Sequence, residues 1–260
     1  MKNYLETIKL ILLVAKKIKN WPAYFLDQKK LIKDKYVTYN FRNGQKVKTR
    51  AGTIDGTIIF ENFIYNVYNP EGFELKKGDV VVDVGAHIGT FSIFASKLAS
   101  KVYSFEPIGE NFSLLQENIE MNKADNVYPF KMAVSKQNGE TELFINDKNN
   151  AAHSSYMHKE SKKVIVKTIS FEDFVKSNNV SKIDFLKMDC EGAEYDIFFN
   201  CPKNILSMIG KISMECHNID SKNNSLALKD FLQNNGFEVN IRSADSDIVS
   251  YLFAKNKKLA

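Results

Sequence analysis

The sequence predicts a doubly wound α/β fold, with a mostly parallel seven-stranded sheet, helices on both faces, and an N-terminal cap of helices and strands. Three observations carry the prediction. From residue 78 onward, short apolar runs rich in Val, Ile and Phe alternate with stretches of helical period, as parallel strands joined by crossover helices do. The first run, Val80-Val-Val-Asp-Val84, passes through Gly85 and Gly89 straight into a helix. Acidic residues recur at or just past the run ends, at Asp83, Glu106, Asp189 and Glu215, and the carboxyl edge of such a sheet is where doubly wound folds bind ligands.

The cap, residues 1–75, opens with a basic amphipathic helix and a second short helix near residues 22–33, then alternating stretches at 36–41 and 46–50. Residues 76–260 form the main domain. Its predicted order is strand 80–84, helix 90–99, strand 101–105, helix 108–122 and strand 127–132. Stretches 141–145 and 163–168 read as strands around a polar insert, 146–161, expected to be a loop over the pocket. The alternation resumes with helix 171–178, strand 183–188, helix 193–200, strand 211–216, helix 225–234 and closing strands 237–242 and 248–254. At 260 residues and 44% hydrophobic, the chain is long enough for one sizeable core plus an appended segment.

Composition narrows the function classes. A net charge of +5 is modest, and no extended basic groove or recognition module for nucleic acid is legible. Cys190, Cys201 and Cys216 form no Cys-x-x-Cys pair, which argues against a disulfide framework or a zinc knuckle and fits a reducing, cytoplasmic compartment. No apolar stretch approaches the roughly 20 residues needed to span a bilayer, and Tyr4 to Trp21 lacks the small-residue cleavage site of a secretory signal. In that opening helix Leu5, Ile8, Ile11, Leu12, Ala15 and Ile18 form a stripe accompanied by Lys9, Lys16, Lys17 and Lys19. Two readings follow: the stripe packs on the main domain or on a partner subunit of a homo-oligomer, or residues 4–21 rest on the inner face of a membrane.

The turn Asp83-Val-Gly-Ala-His87-Ile-Gly89 departs from the Gly-x-Gly-x-x-Gly of dinucleotide folds and lacks the Lys-Ser/Thr of a phosphate loop. Asp83 would repel a pyrophosphate, yet it suits a donor carrying an ammonium group, as S-adenosylmethionine does. Glu106, 23 residues after Asp83 at the end of the second strand, can accept both hydroxyls of a ribose. A nicotinamide enzyme should show a third glycine and a Tyr-x-x-x-Lys, and a binding-only domain would need none of the acids at the strand ends.

Strand 183–188 leads into Asp189-Cys-Glu191-Gly-Ala-Glu194, and strand 211–215 into Glu215-Cys-His217. Asp189, Glu191, Glu215 and His217 should converge beside Asp83 and Glu106, and so many ionisable groups are expensive to bury without a use. Asp189 also suits a helix N-cap, Glu194 the first turn of the next helix, and His217 a plain loop. Methyl transfer to oxygen is an in-line displacement that needs an aligned hydroxyl, exclusion of water and a proton acceptor. His217, with a pKa near neutrality, would accept the proton. Alternatively Asp189 and Glu215 hold a magnesium ion that acidifies the hydroxyl.

In order along the chain, Arg50-x-Gly-x-x-Asp55 with Glu61 and Tyr65, Val-Val-Asp83-Val-Gly-Ala-His-Ile-Gly89, Phe-Glu106-Pro, Ala133-Val-Ser135, Thr168-x-x-Phe-Glu-Asp173, Leu-Lys187-Met-Asp189-Cys-Glu-Gly-Ala-Glu194 and Glu215-Cys-His217 resemble the FkbM family of methyltransferases over nearly the whole chain. Cys190 stands where that family usually has valine. The resemblance implies a Rossmann-like class I methyltransferase that uses S-adenosylmethionine for O-methylation, commonly of sugar hydroxyls or secondary metabolites. In such a fold Glu106 holds the ribose, Asp83 the methionine end, Gly85, His87 and Gly89 the donor turn, and the backbone amide of Ala133 reads the adenine edge, with Asp189 beside the donor. Arg50, Asp55, Tyr65 and Glu191 become candidates for the acceptor pocket, while Arg50, Asp55 and Tyr65 serve equally well to tie the cap to the main domain. The acceptor expected from the resemblance is a saccharide or glycan precursor, lipid-linked in one version. A small metabolite is the alternative, and a nicotinamide-dependent oxidation a more distant one.

Overall fold

A computed structural model describes residues 2–145, 153–154, 162–243 and 248–259. The chain begins with α1 (Lys2–Lys17), α2 (Trp21–Gln28) and an antiparallel hairpin of β1 (Tyr36–Asn40) and β2 (Lys46–Arg50). A short helix, α3 (Asp55–Ile59), runs directly into a π-helical stretch, Phe60–Tyr65. The main sheet starts with β3 (Val80–Val84), followed by α4 (Thr90–Ser96), β4 (Lys101–Phe105), α5 (Gly109–Asn122) and β5 (Val127–Phe130). A side sheet comprises β6 (Ala133–Ser135), β7 (Gly139–Ile145), β8 (His153–Ser154) and β9 (Lys162–Ser170). Then come α6 (Phe171–Ser177), β10 (Ile183–Met188), α7 (Glu194–Phe199), α8 (Lys203–Leu206), β11 (Ile209–His217), α9 (Ser225–Asn234), β12 (Phe237–Ser243) and β13 (Val249–Asn256).

The seven-stranded sheet has the order β12-β13-β11-β10-β3-β4-β5. Its strands are parallel except β13, which runs against both β11 and β12. From β3 the chain moves outward to β4 and β5, then returns to place β10 on the other side of β3. The strand order therefore reverses between β3 and β10, and the crevice above their carboxyl ends is the ligand-binding position of this fold class.

The pleat sends alternate residues to opposite faces. Val82, Val84, Leu186 and Met188 pack with Phe174, Phe198, Leu206 and Leu228 from α6 to α9. Val81 and Phe185 face the other way and share a core with Val14, Ile18, Tyr39, Phe63 and Phe91. The N-terminal segment thus supplies part of the cover of one sheet face. Asn118 of α5 fastens it: the side chain accepts from Lys48 N–H at 2.7 Å and donates to the carbonyls of Lys48 and Ile88 at 3.1 and 2.8 Å.

Three features differ from the sequence expectation. Helix α3 and its π-helical continuation escape a reading by propensity, because Gly56, Thr57, Ile58 and Ile59 favour other conformations and only the burial of Ile59, Phe63 and Ile64 fixes the segment as helical. The insert expected as a loop has two described residues, His153 and Ser154, and these are strand, paired antiparallel with Ile145 and Phe144; the rest of 146–161 lies outside the described residues. In α1 the stripe that packs inward is Leu10, Leu13 and Val14, continued by Ile18 just past the helix end, whereas Leu5, Ile8 and Leu12 are 59%, 37% and 64% exposed. Apolar residues lie nearly all round this helix, so periodicity alone does not choose the buried side.

Truncation should separate the inward stripe, including Ile18 just past α1, from the outer face of the helix. Ile18→Ala, at a fully buried position, is expected to cost about 2–5 kcal/mol in urea unfolding, and Leu12→Ala to change stability by less than about 0.5 kcal/mol.

Candidate active site

Strand β3 ends in a turn whose backbone requires glycine. Gly85 has φ +78°, and a Cβ there would stand 1.7 Å from the carbonyl oxygen of Asp189. Only hydrogen at that position lets the ends of β3 and β10 approach so closely. Gly89, φ +85°, lies against Leu115 in the same way, a Cβ meeting its Cδ1 at 2.4 Å. Glu106, buried at the end of β4, fastens the turn: Oε2 accepts from His87 N–H at 2.9 Å and Oε1 from Ile108 N–H at 2.8 Å. Burial raises the Glu106 carboxyl to about 7 against the opposing pull of those amides. Gly85, His87, Glu106 and Ala133 line one cavity with Asp189, Glu191 and Glu215.

Asp83 pairs in register with Lys187 of β10 on one side and Ser104 of β4 on the other, so the three side chains stand abreast on the cap-facing side of the sheet. Lys187 Nζ lies 3.3 Å from Asp83 Oδ1 and 3.9 Å from Asp189 Oδ2, and donates to the Gly85 carbonyl at 2.8 Å. Ser92 donates to Asp83 Oδ2 at 2.6 Å. Burial works against a charge on Lys187, but Asp83 and Asp189 outweigh it and hold its pKa above the usual value. Asp83 is fully buried, is neutralised by Lys187 and is absent from the cavity lining. The expectation that it meets a donor ammonium directly is corrected accordingly: Asp83 holds Lys187, and Lys187 lines the cavity. Sequence reasoning assigned Lys187 no role, although a lysine in the otherwise apolar run Phe185–Met188 was a usable signal.

The acids gather around Tyr68 and His217. The Tyr68 hydroxyl donates to Asp189 Oδ2 at 2.9 Å and lies 3.3 Å from Glu215 Oε2. Burial first, then these carboxylates, push it well above its ordinary 10, so it remains a donor. Burial and then Asp189 raise Glu215 to about 8 and Glu61 to about 7. Nε2 of His217 is 3.2 Å from Glu191 and 3.6 Å from Glu215, while Nδ1 is 3.3 Å from Glu194. Burial would lower this imidazole, but hydrogen bonds to Glu191 and Glu194 prevail and bring it to about 11. The surrounding carboxylates favour the charged imidazole, which weighs against His217 as the proton acceptor. Asp189 does not cap α7, whose N-cap residue is Ala193, and Glu194 is fully buried, accepting from Cys190 N–H at 3.3 Å.

Arg50 and Asp55 form a buried bidentate pair, Nε to Oδ2 at 2.9 Å and Nη2 to Oδ1 at 3.0 Å, and Arg50 Nη2 lies 3.1 Å from His87 Nε2. They brace the donor turn from behind without lining the cavity. Tyr65 is 61% exposed, its ring edge-on to Phe60, and also lies off the cavity. The N-terminal residues that do line the cavity are Ile54, Ile58, Glu61, Asn62 and Tyr68. The π-helical stretch turns Glu61 inward, an orientation that spacing along the sequence does not reveal. Asp189, Glu215 and His217 each offer one ligand atom, all within 4.8 Å of one another. An imidazole in that set suits a transition ion better than magnesium.

The His217 cluster has a definite pH signature. Its folded pKa, about 11, lies above the ordinary 6.5, so the stabilisation is complete below about 6.5 and is lost as pH rises through about 11. Across that window the urea midpoint of the wild type should fall relative to that of His217→Gln. A constant difference between the two proteins would show that the histidine is not held as a cation.

Residues 83–239 match the family model described as the methyltransferase FkbM domain. "Methyltransferase 1" of Beauveria bassiana is 25% identical over 207 residues, covering 71% of this chain and 82% of that protein. The hexuronic acid methyltransferase AglP of Haloferax volcanii is 29% identical over 144 residues, 55% of this chain and 58% of that one. The crystal structure of an FkbM methyltransferase from Methylobacillus flagellatus superposes with a TM-score of 0.51 at 14% identity, over 91% of this chain and 59% of that chain. With a Rossmann-like sheet, a glycine turn closed by Glu106 and more than half its length within the family model, this chain belongs to the FkbM methyltransferase family.

Proposed function

We propose that the protein transfers a methyl group from S-adenosylmethionine to a hydroxyl of a saccharide. The observation that carries this reading is the shared cavity, which Glu106 and the glycine turn line together with Asp189 and Glu215. Glu106 Oε1 accepts from Ile108 N–H and from the Asn111 amide, while Oε2, with His87 N–H alone, keeps a lone pair for a ribose hydroxyl. When bound, S-adenosylmethionine supplies an electrophilic methyl group on a cationic sulfur.

Glu215 is the group we assign to the hydroxyl proton, because it lines the cavity beside Asp189 and burial raises its proton affinity above that of an ordinary carboxylate, whereas the carboxylates around His217 favour its charged form. Tyr68 orients Asp189 by donating to it, and its hydroxyl oxygen lies 3.3 Å from Glu215. In this reading Glu61 and the Asn62 Oδ1, whose amide hydrogens are already bound to Ile58 and Thr90, accept from the remaining hydroxyls of a sugar. The name of the Haloferax relative supports a saccharide acceptor; a small metabolite is the alternative, and the family membership leaves no support for a nicotinamide enzyme. A divalent ion on Asp189, Glu215 and His217 is a second reading, favoured by their spacing.

Glu106→Ala should weaken S-adenosylmethionine binding about tenfold to a hundredfold in calorimetry; unchanged affinity in a folded variant would sink the donor assignment. Glu215→Gln should lower kcat by about a hundredfold or more with donor affinity retained. Loss of wild-type activity on chelation, with rescue by added metal, would instead favour the ion. Mass spectrometry of glycans from cells with and without the gene tests the acceptor. A methyl increment missing from a sugar and restored by the active enzyme supports the reading, and unchanged glycans beside a methylated metabolite overturn it.

A further inference from the structure

Helix α1 has two apolar faces and uses one. Val14 and Ile18, with Leu10 and Leu13, are packed into the core. At the 100° per residue of an α-helix, Leu5, Ile8 and Leu12 fall on the opposite side, flanked by exposed Lys9 and Lys16. A helix that only packed on its own domain would carry a polar outer face. The charge distribution adds an independent observation. Residues 1–35 contain nine lysines and three acidic residues, a net +6, while the whole chain carries +5, so the remaining residues sum to −1. One of those three acids, Asp27, is buried and bound to the Tyr39 hydroxyl and the Gly52 amide. The positive charge of this protein is therefore concentrated on the segment that presents the unpartnered leucines.

We propose that the outer face of α1 docks on an anionic bilayer surface. Leu5, Ile8 and Leu12 enter the boundary between headgroups and acyl chains, and Lys9 and Lys16 keep their amines at the lipid phosphates while their stems lie along the apolar surface. A second copy of this chain is a poorer occupant, because two lysine-studded faces would repel. No helix among the described residues is long and apolar enough to cross a membrane, so the contact is peripheral. The proposal does not rest on the acceptor assignment, and its readout is binding, not catalysis.

The test is co-sedimentation of the full chain with vesicles of phosphatidylcholine alone and of phosphatidylcholine mixed with phosphatidylglycerol, at low and high salt. Binding should be at least about tenfold tighter to the mixed vesicles and weaken with salt. The double variants Leu5→Ser/Leu12→Ser and Lys9→Gln/Lys16→Gln should each lose at least about tenfold, while keeping the wild-type circular dichroism and donor affinity, since all four positions are exposed. Absence of vesicle binding, equal binding to both compositions, or binding untouched by the leucine changes would overturn the proposal. So would a dimer, seen by light scattering without vesicle binding and dissolved by Leu5→Ser/Leu12→Ser, which would assign the face to a second copy.

Discussion

The ion pair between Lys187 and Asp83 is the contact on which the rest of the site depends. Both side chains lie at the middle of the sheet with almost no solvent exposure, and removing two charges from water costs several kcal/mol each unless geometry and further hydrogen bonds compensate. Here they do: the register sets the charges side by side, Ser92 supplies a donor to the carboxylate, and the Gly85 carbonyl accepts from the ammonium. That last bond also ties the end of β10 to the turn after β3. The close approach of Gly85 to Asp189 follows, and with it the position of the acid that Tyr68 and Lys187 share.

Around this anchor the site holds more acids than cations. Asp189, Glu61, Glu191, Glu194 and Glu215 surround a space in which Lys187 and His217 are the nearby positive groups. Carboxylates crowded in a poorly solvated place hold protons more tightly, which is why Glu61 and Glu215 titrate near neutrality and not near 4.5. The same crowding charges His217. A histidine facing three carboxylates is stabilised as a cation, which weighs against the role of base that its residue type suggests.

The N-terminal segment belongs to this arrangement. Its hairpin is bound to α5 through Asn118, its α3 contributes Asp55 to the Arg50 pair behind His87, and its π-helical stretch carries Glu61 to the cavity. A π-helical turn advances the chain by an extra residue relative to an α-helix and so redirects the side chains that follow. This is how Glu61 and Asn62 reach the cavity while Tyr65, three residues beyond Asn62, stays in solvent.

The sequence by itself determined the order and type of the elements of the main sheet. Hydrophobic period, strand length and glycine punctuation are local quantities, and Val80–Val84, Lys101–Phe105, Ile183–Met188 and Ser225–Asn234 were legible to the residue or nearly so. It also determined which strand ends carry acids, since position along a strand is a matter of counting. What only the tertiary structure decided is which of those groups meet. Strand register put Lys187 beside Asp83, the folding of the cap over the sheet brought in Tyr68 and Glu61, and the convergence of three carboxylates set the charge of His217. Each of these depends on distances between residues far apart in the chain, and electrostatic energy varies with distance and burial, neither of which a linear sequence contains.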